Sequence, residues 1–445
     1  MTLLVSITNT LGYTAGSYVA TNTSGSGVFN TVGAGARYLA DGTYRNSGTT
    51  NVDSGLLAEL RERTTYPPIV LSNAITSDTL LFPQASRDID DIDLGYHYSP
   101  LDYALSQVSV SNASLTIQPG TSIGVYGPST ASGLILLDGA NVVCEGNPTN
   151  LNRFVRYNLI QEQGVTNWSA TSVGRSVATP VSPATNTLPT SARFRFTEWS
   201  MPANGNDHFY GGTSNLNVTI QDCEFSPGKF TSGRPTLTLL NNLFERTHVT
   251  LSGNTYPFTV TARNATHFEG SLTLQNSGGG AWTFKDNLFD QTTNTQTGTI
   301  TNNYNGYTTN VTRLTPNGAN DVLLAITNVA YDTWPPPNGR RFYLPAGLAL
   351  LNAGSQYATN SGLYHYTTTT NQVKESVTVV DIGFHRVALT NCTVTVDTDA
   401  DGLPDYLEDI NGNGVVDSGE ASWTTAGDWG LQVWITHPRD RGILP

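Results

Sequence analysis

With 445 residues, the chain is long enough for two or three ordinary domains or for one elongated repeat domain. Only 13% of the residues are charged and the formal net charge is −13, with eight of the acids lying between residues 397 and 420. This balance argues against nucleic acid and anionic membrane surfaces as partners, because both attract basic proteins. No apolar run approaches the roughly 18 residues of a membrane span, so we expect no membrane insertion.

The N-terminal part of the chain carries a pattern that returns near its end. The matching segments are YLADG at 38–42 and YLPAG at 343–347, NSGT at 46–49 and NAGS at 352–355, and DLGYH at 93–97 and DIGFH at 381–385. One cassette therefore closes near residue 97 and a second near residue 385. Because His97 and His385 hold the same place in the two copies, we expect each to make a structural hydrogen bond.

Between about residues 191 and 307 one short pattern recurs: two alternating apolar residues, a polar anchor, and then a bulky residue. The anchors, which follow one another at similar but not identical intervals, are Glu198, Asp222, Asn241, Asn264, Asp286 and Asn302. Alternation within each copy predicts a strand with one buried face. Recurrence at roughly 20 residues predicts a solenoid whose turns bury that face by stacking. We expect the last five anchors to lie at one corner. Four strand residues that precede anchors should point inward and stack in successive turns: Ile220, Leu239, Phe284 and Ile300.

The repeat predicts an all-β fold, a right-handed parallel β-helix with a short C-terminal calcium-loop segment. Asp or Asn after each strand suits a left-handed turn, and stacked Asn side chains can hydrogen-bond along the coil. An antiparallel β-sandwich also gives short strands at regular spacing, but hairpin pairs such as Asn-Gly are scarce in this region. The expected modules are 1–100, the terminal turns of a preceding β-helix; 101–390, a parallel β-helix; 391–424, tandem calcium-binding loops; and 425–445, a linker or first strand of a following domain.

Residues 397–408 (DTDADGLPDYLE) and 409–420 (DINGNGVVDSGE) are two acidic twelve-residue segments placed end to end. Each has oxygen side chains at positions 1, 3, 5, 9 and 12, glycine at position 6 and a backbone carbonyl at position 7, as calcium loops do. The predicted ligands are Asp397, Asp399, Asp401, Leu403, Asp405 and Glu408, then Asp409, Asn411, Asn413, Val415, Asp417 and Glu420. An acidic, solvated linker is the alternative, but two matches in register favour calcium. The second loop has fewer charges, which predicts a weaker site.

These loops cannot form an ordinary EF-hand pair, because no residue separates them and each EF-hand loop needs a helix on either side. Only residues 405–409 offer a helical turn, with Pro404 near its start, where proline is tolerated. The arrangement resembles the thrombospondin type 3 and dockerin-like calcium repeats of secreted proteins. Together with the cassette ends, it resembles large bacterial secreted or cell-surface proteins built from right-handed parallel β-helix repeats.

The resemblance implies an extracellular or bacterial cell-surface location and calcium as the cofactor. It also implies that neighbouring domains of the same polypeptide are partners. The expected function is that of a rigid structural or adhesive segment of a larger surface protein, with a polysaccharide or cell-surface glycan as a further partner. Two aromatic clusters, at 207–210 and 364–366, are candidates for stacking on sugar rings.

The alternative function is that of a polysaccharide lyase or glycoside hydrolase acting on acidic glycans. A glycosidase needs two carboxylates roughly 5 to 9.5 Å apart, yet the anchors Asp222 and Asp286 are single and no Arg-x-Lys motif occurs. The acidic cluster at 88–93 predicts a solvated or cation-bound corner. His267 takes a position that is bulky and apolar in most other turns, which predicts a packed core histidine. We therefore expect no catalytic residues.

Three cysteines, Cys144, Cys223 and Cys392, lie far apart in the sequence and match no metal-binding spacing. Buried free thiols are the favoured interpretation, and one disulfide is the alternative.

Overall fold

The structure is a computed structural model that describes residues 27–128, 131–160, 174–180, 185–202, 206–334, 340–391 and 393–428. The regular secondary structure of the described residues is mostly β-strand, with three large all-parallel sheets of nine, eleven and eight strands. Three small antiparallel pairs complete the strands. The antiparallel sandwich is therefore excluded, and the predicted all-β, parallel β-helix class is confirmed. None of the helices in these ranges has the length and apolar character needed to cross a membrane.

Short strands dominate the first half of the described chain, and a 3-10 turn spans Gly42–Tyr44. The elements in chain order are β1 (Phe29–Val32), β2 (Gly35–Leu39), α1 (Ser54–Arg61), β3 (Ile69–Leu71), β4 (Thr79–Leu81), β5 (Tyr103–Leu105), β6 (Val108–Val110), β7 (Ser114–Ile117), β8 (Ser122–Val125), β9 (Ser132–Leu136), β10 (Asn141–Glu145), β11 (Asn152–Arg156), α2 (Tyr157–Ile160), β12 (Arg175–Ala178), β13 (Thr185–Arg195), β14 (Thr197–Ser200), β15 (Asp207–Gly211) and β16 (Ser214–Gln221).

The second half continues with strands of two to six residues and contains two single-turn helices. The elements are β17 (Glu224–Phe225), β18 (Gly228–Ser232), β19 (Thr236–Leu240), β20 (Leu243–Glu245), β21 (Thr247–Ser252), β22 (Val260–Arg263), β23 (Thr266–Phe268), β24 (Ser271–Asn276), β25 (Trp282–Lys285), β26 (Leu288–Asp290), β27 (Thr293–Gly298), β28 (Thr301–Asn303), β29 (Gly306–Tyr307), β30 (Val322–Leu323), α3 (Ala358–Ser361), β31 (Tyr366–Thr367), β32 (Arg386–Val387), β33 (Leu389–Asn391), β34 (Val394–Thr395) and α4 (Asp405–Glu408).

The chain divides into two compact units. The first comprises described residues of Met1–Thr219, Cys223–Leu237 and Arg246–Phe258, and the second those of Ile220–Asp222, Thr238–Glu245 and Thr259–Pro445. In the first unit, every third strand pairs in parallel: β10 lies beside β7 and β13, β11 beside β8 and β14, and β12 beside β9 and β15. One turn of chain therefore supplies one strand to each of three sheets, as a parallel β-helix requires.

Stacks of rings at equivalent places in successive turns lie within the core of each unit, which is otherwise mainly aliphatic. In the first unit, Trp199 pairs in register with Phe154 and Phe225 and stacks on them with ring centroids 4.7 and 5.7 Å away. In the second unit, the ring of His267 lies between Phe244 and Phe289, at 4.7 and 5.1 Å. Burial lowers the pKa of His267 to about 3, so the ring packs as a neutral group. The predicted core histidine is confirmed.

Left-handed backbone marks the corner after the patterned strand of each repeat copy. Four of the predicted anchors have positive φ angles: Asp222 (55°), Asn241 (52°), Asn264 (53°) and Asp286 (61°). Asn and Asp accept this conformation more readily than most residues because their short polar side chains bond locally. The sequence therefore located these four corners correctly.

The first and last copies of the repeat are out of the predicted register. Phe196 and Tyr304 hold the positive-φ corners there, not Glu198 and Asn302. Asn302 instead pairs with Phe284 inside a strand, so Ile300 is buried but does not stack in the Phe284 position. A polar residue fits the strand here because its amide donates to the Pro316 carbonyl at 2.7 Å.

Buried asparagines one residue beyond the corners tie successive turns together. The amide groups of Asn242, Asn287 and Asn305 donate to the carbonyls of Ile220, Ala262 and Phe284 at 2.9, 3.1 and 3.1 Å. All three side chains are fully buried. Stacked asparagines were predicted at the anchors, whereas the most regular set of asparagines lies one residue beyond them.

The two cassettes predicted from the sequence share the same hydrogen bonds. Asn46 and Asn352 each donate a backbone N–H to the carboxylate that opens the pentad, Asp93 at 2.8 Å and Asp381 at 2.6 Å. Gly48 and Gly354 donate to the carbonyls of Ile92 and Val380, and a Cβ on either glycine would lie 2.5 Å from that carbonyl oxygen. The internal repeat is therefore structural, and its glycines are required by close backbone approach.

The acidic cluster at 88–93 is partly solvated and partly buried, and both cassette histidines make the predicted hydrogen bonds. Asp90 and Asp91 are exposed, whereas Asp88 and Asp93 are buried and Asp88 lies 2.5 Å from the His97 imidazole. That contact is the structural hydrogen bond predicted for His97, and the Nδ1 of His385 makes one to the Gly383 carbonyl at 2.8 Å.

Two of the three cysteines confirm the expectation of buried thiols. Cys144 and Cys223 are buried thiols, and burial raises the pKa of Cys144 to about 12. Cys392 lies outside the described residues, and so do residues 429–445, which hold most of the predicted linker or first strand at 425–445.

Candidate metal centre

The first acidic loop folds around three carboxylates that face one another. Asp397, Asp399 and Asp401 each offer an oxygen, and these oxygens lie within 4.8 Å of one another. The loop holds this shape through backbone N–H groups: Ala400 and Gly402 donate to Asp397 at 2.8 and 3.0 Å. Gly402 has φ +98°, which explains the glycine predicted at loop position 6.

Glu408, the predicted position 12 ligand, lies buried at the end of α4. Among the described residues, neither of its carboxylate oxygens has a hydrogen-bond partner, and the same holds for Oδ2 of Asp399. Burial and then the charges of Asp399, Asp401, Asp405 and Asp397 raise the pKa of Glu408 to about 7. A buried carboxylate without a donor, beside three others, is a costly arrangement unless a cation offsets the charge.

Asp405, predicted as the position 9 ligand, has a different set of partners. Its two oxygens accept from the backbone N–H and hydroxyl of Thr398 at 2.6 and 2.7 Å, and Lys374 donates to it at 3.1 Å. Burial opposes the charge, but the contacts with His365, Thr398 and Lys374 lower the pKa of Asp405 to about 2. Through these contacts Asp405 connects the first loop to Lys374 and fixes the position of Thr398.

The second loop is closed by its own amides and carboxylates. Asp417 accepts from the side chains of Asn411 and Asn413 at 2.8 and 2.7 Å, and Glu420 accepts from the backbone of Asn411 and Asp417 at 3.1 and 3.0 Å. Asp409 accepts from the N–H of Asn413 at 3.0 Å. All five predicted side-chain ligands therefore belong to one network.

The remaining predicted ligands, Leu403 and Val415, would contribute only their backbone carbonyls. The side chain of Leu403 is half-buried and that of Val415 is exposed. At loop position 6, Gly414 has φ +76°, and a Cβ there would collide with the ring of Tyr364. The second loop therefore needs its glycine for backbone shape and for close packing.

Four residues that were not predicted to lie near the loops hold them within the second unit: Tyr364, His365, Lys374 and Trp423. His365 lies 3.0 Å from Asp409 and 3.6 Å from Asp405, and so bridges the two loops. Burial lowers the pKa of His365, but these two carboxylates more than offset it and raise the pKa. Lys374 lies over the rings of Tyr364 and Trp423, 5.7 and 5.2 Å from their centroids. The contacts join positions far apart in sequence.

The candidate sugar-binding aromatics are largely occupied by packing. His208, Phe209 and Tyr366 are buried. Tyr210 is covered by the guanidinium of Arg175, 3.8 Å from its ring centroid. These clusters do not present a row of open aromatic faces.

The single acids of the coil serve as hydrogen-bond acceptors inside the second unit. Asp222 accepts from Tyr366 and Asn241 at 2.8 and 2.7 Å. Asp286 accepts from the backbone of Ser355 at 2.6 Å and from Arg263 at 3.1 Å. Both carboxylates are buried, so their contacts are those of structural residues.

Comparison with known proteins adds no further constraint on the site. No family model matches the sequence, and neither a curated protein nor a solved structure matches it.

Proposed function

We propose that residues 397–420 bind two calcium ions and that the chain is a rigid, calcium-stiffened β-helix segment of an extracellular surface protein. The observation that carries this proposal is the buried carboxylate of Glu408, with both oxygens unpartnered among the described residues, beside the grouped carboxylates of Asp397, Asp399 and Asp401. Hard cations with six to eight oxygen ligands suit such a set.

Calcium binding stiffens the C-terminal segment through contacts that are already in place. Asp405 and Asp409 lie between the loops and the rest of the second unit, where Lys374 and His365 hold them. A cation in the first loop removes the repulsion among its acids, and the loop then keeps the shape that positions α4. The expected result is a C-terminal junction with a fixed geometry.

A surface location supports this use of calcium, because acidic loops of extracellular modules commonly work at roughly 10⁻⁴ to 10⁻³ M calcium. The parallel sheets supply a stiff scaffold, and a glycan or a neighbouring domain of the same polypeptide is the proposed partner. The role is therefore structural or adhesive.

The test is calorimetric titration of calcium into the 445-residue chain after treatment with a chelator. The unmodified chain is expected to bind two ions, and Glu408→Gln is expected to lose the tighter one. Asp91→Asn is the matched control, since it removes one exposed carboxylate elsewhere. Equal calcium uptake by the unmodified chain and Glu408→Gln would show that this carboxylate is not a ligand.

A further inference from the structure

A second group of potential metal ligands lies in the cassette of the second unit, apart from the acidic loops. Glu375, Asp381 and His385 each offer one atom, and the three atoms lie within 4.8 Å of one another. All three residues are buried. The Nε2 of His385 lies 3.2 Å from Oε1 of Glu375.

The imidazole of His385 is oriented as a metal-binding histidine would be. Its Nδ1 lies 2.8 Å from the Gly383 carbonyl, which can only accept, so Nδ1 carries a proton and donates. Nε2 then faces Oε1 of Glu375, and this contact is an ion pair whose geometry does not meet that of a hydrogen bond. An N–H···O=C bond on the far nitrogen is the usual support for a metal-ligating imidazole.

Hydroxyl and backbone donors hold the carboxylates from the other side. Thr378 donates to Oε2 of Glu375 at 3.1 Å, which leaves Oε1 facing the imidazole. Asp381 accepts the N–H of Asn352 at 2.6 Å and the hydroxyl of Thr368. These donors orient the ligands without neutralising them.

The two carboxylates need a positive charge at this place, which either a metal ion or a protonated His385 can supply. Two carboxylates and one imidazole share a site from which water is largely excluded, and a buried charge is stable only when it is paired or bound to a metal. Two ligand atoms that share one tetrahedral zinc ion at about 2.0 Å lie about 3.3 Å apart. The Nε2 to Oε1 separation of 3.2 Å matches that value.

The cassette of the first unit provides an internal comparison. There the acid that faces the histidine is Asp88, which lies 2.5 Å from His97 in a direct hydrogen bond and also accepts the N–H of Asp93 at 2.8 Å. Within the described residues, Asp88, Asp93 and His97 do not form a group with metal-ligand spacing. The two copies share a backbone frame but differ in this side-chain geometry.

We propose that Glu375, Asp381 and His385 bind one divalent transition-metal ion, with zinc as the best fit to one imidazole and two carboxylates. The ion stabilises the cassette that closes the second unit. It is separate from calcium, which prefers oxygen ligands alone.

The test uses the 445-residue chain produced in zinc-supplemented medium and purified in excess calcium, which saturates the acidic loops. Elemental analysis is expected to find one zinc per chain, and X-ray absorption is expected to show one imidazole nitrogen with carboxylate oxygens at about 2.0 to 2.2 Å. Glu375→Gln and Asp381→Asn keep side-chain volume and are expected to lower zinc affinity at least tenfold. Asp88→Asn, in the first cassette, is the matched control and should retain the zinc.

Each outcome decides the proposal. Absence of zinc from the unmodified chain would mean that His385 and the two acids form a proton-sharing ion pair, and the proposal fails. Zinc that survives both Glu375→Gln and Asp381→Asn would belong to another site, and the proposal also fails. If both variants lose their circular dichroism spectrum, the absorption spectrum of the unmodified chain decides: a shell without one imidazole and carboxylates rejects the site.

Discussion

Replacing Asn287 by alanine should destabilise the second unit strongly, although the asparagine side chain is small. The side chain is fully buried and makes three hydrogen bonds. Its amide donates to the Ala262 carbonyl and to the Asn305 side chain, both at 3.1 Å, and its oxygen accepts the Ala265 N–H at 3.0 Å. It therefore connects three successive turns of the coil.

The magnitude follows from these bonds. Each contributes about 1 kcal/mol net, and the buried N–H of Ala265 left without its acceptor costs about 1 kcal/mol more. The expected loss in free energy of unfolding for Asn287→Ala is therefore about 3 to 4 kcal/mol. Urea unfolding in saturating calcium, followed by circular dichroism, measures it. The control is Asn328→Ala, at an exposed position, which should change the free energy by less than about 0.5 kcal/mol.

A second measurement separates this explanation from simple loss of packing. Amide hydrogen exchange at Ala265 should accelerate in Asn287→Ala, because that N–H loses its acceptor. A loss below about 1 kcal/mol, or unchanged exchange at Ala265, would refute the view that these asparagines hold the turns together.

Three further predictions concern single side chains. Gly354→Ala should lower the free energy of unfolding by at least about 1 kcal/mol, because the new Cβ would lie 2.5 Å from the Val380 carbonyl oxygen. Denaturant unfolding measures this change, and an unchanged midpoint would contradict the close approach. His267→Phe should change the free energy of unfolding by less than about 1 kcal/mol, whereas His267→Ala should lower it by about 3 kcal/mol. Calorimetric melting of the two variants checks whether the ring contributes only by stacking on its neighbours. Burial raises the pKa of Asp207 to about 6, above its ordinary 3.8, so its folded form favours the proton and stability falls as pH rises between these values. Asp207→Asn should therefore be more stable than the unmodified chain by up to about 2 kcal/mol near pH 7.5, and it should lose this advantage near pH 4. If the stabilities of the two proteins depend on pH in the same way, Asp207 does not have this effect.

The sequence alone predicts the local features of this chain. The alternation of apolar and polar residues and the regular return of the pattern identify stacked parallel strands, because each turn can bury its face only on its neighbours. The corners at Asp222, Asn241, Asn264 and Asp286 follow from the preference of Asp and Asn for left-handed backbone. The glycines at 402 and 414 follow from the calcium-loop pattern in the same way. Such signals are local, so a few consecutive residues contain them.

Contacts between distant positions were decided only by the tertiary structure. The shift of the corners to Phe196 and Tyr304 depends on which strand stacks on which, and a degraded repeat no longer encodes that register. His365 and Lys374 contact the acidic loops only because the chain, after passing these two residues, folds back and places the loops against them. The group of Glu375, Asp381 and His385 forms for the same reason: turns and hydroxyl donors, not spacing in the sequence, aim its ligand atoms at one point.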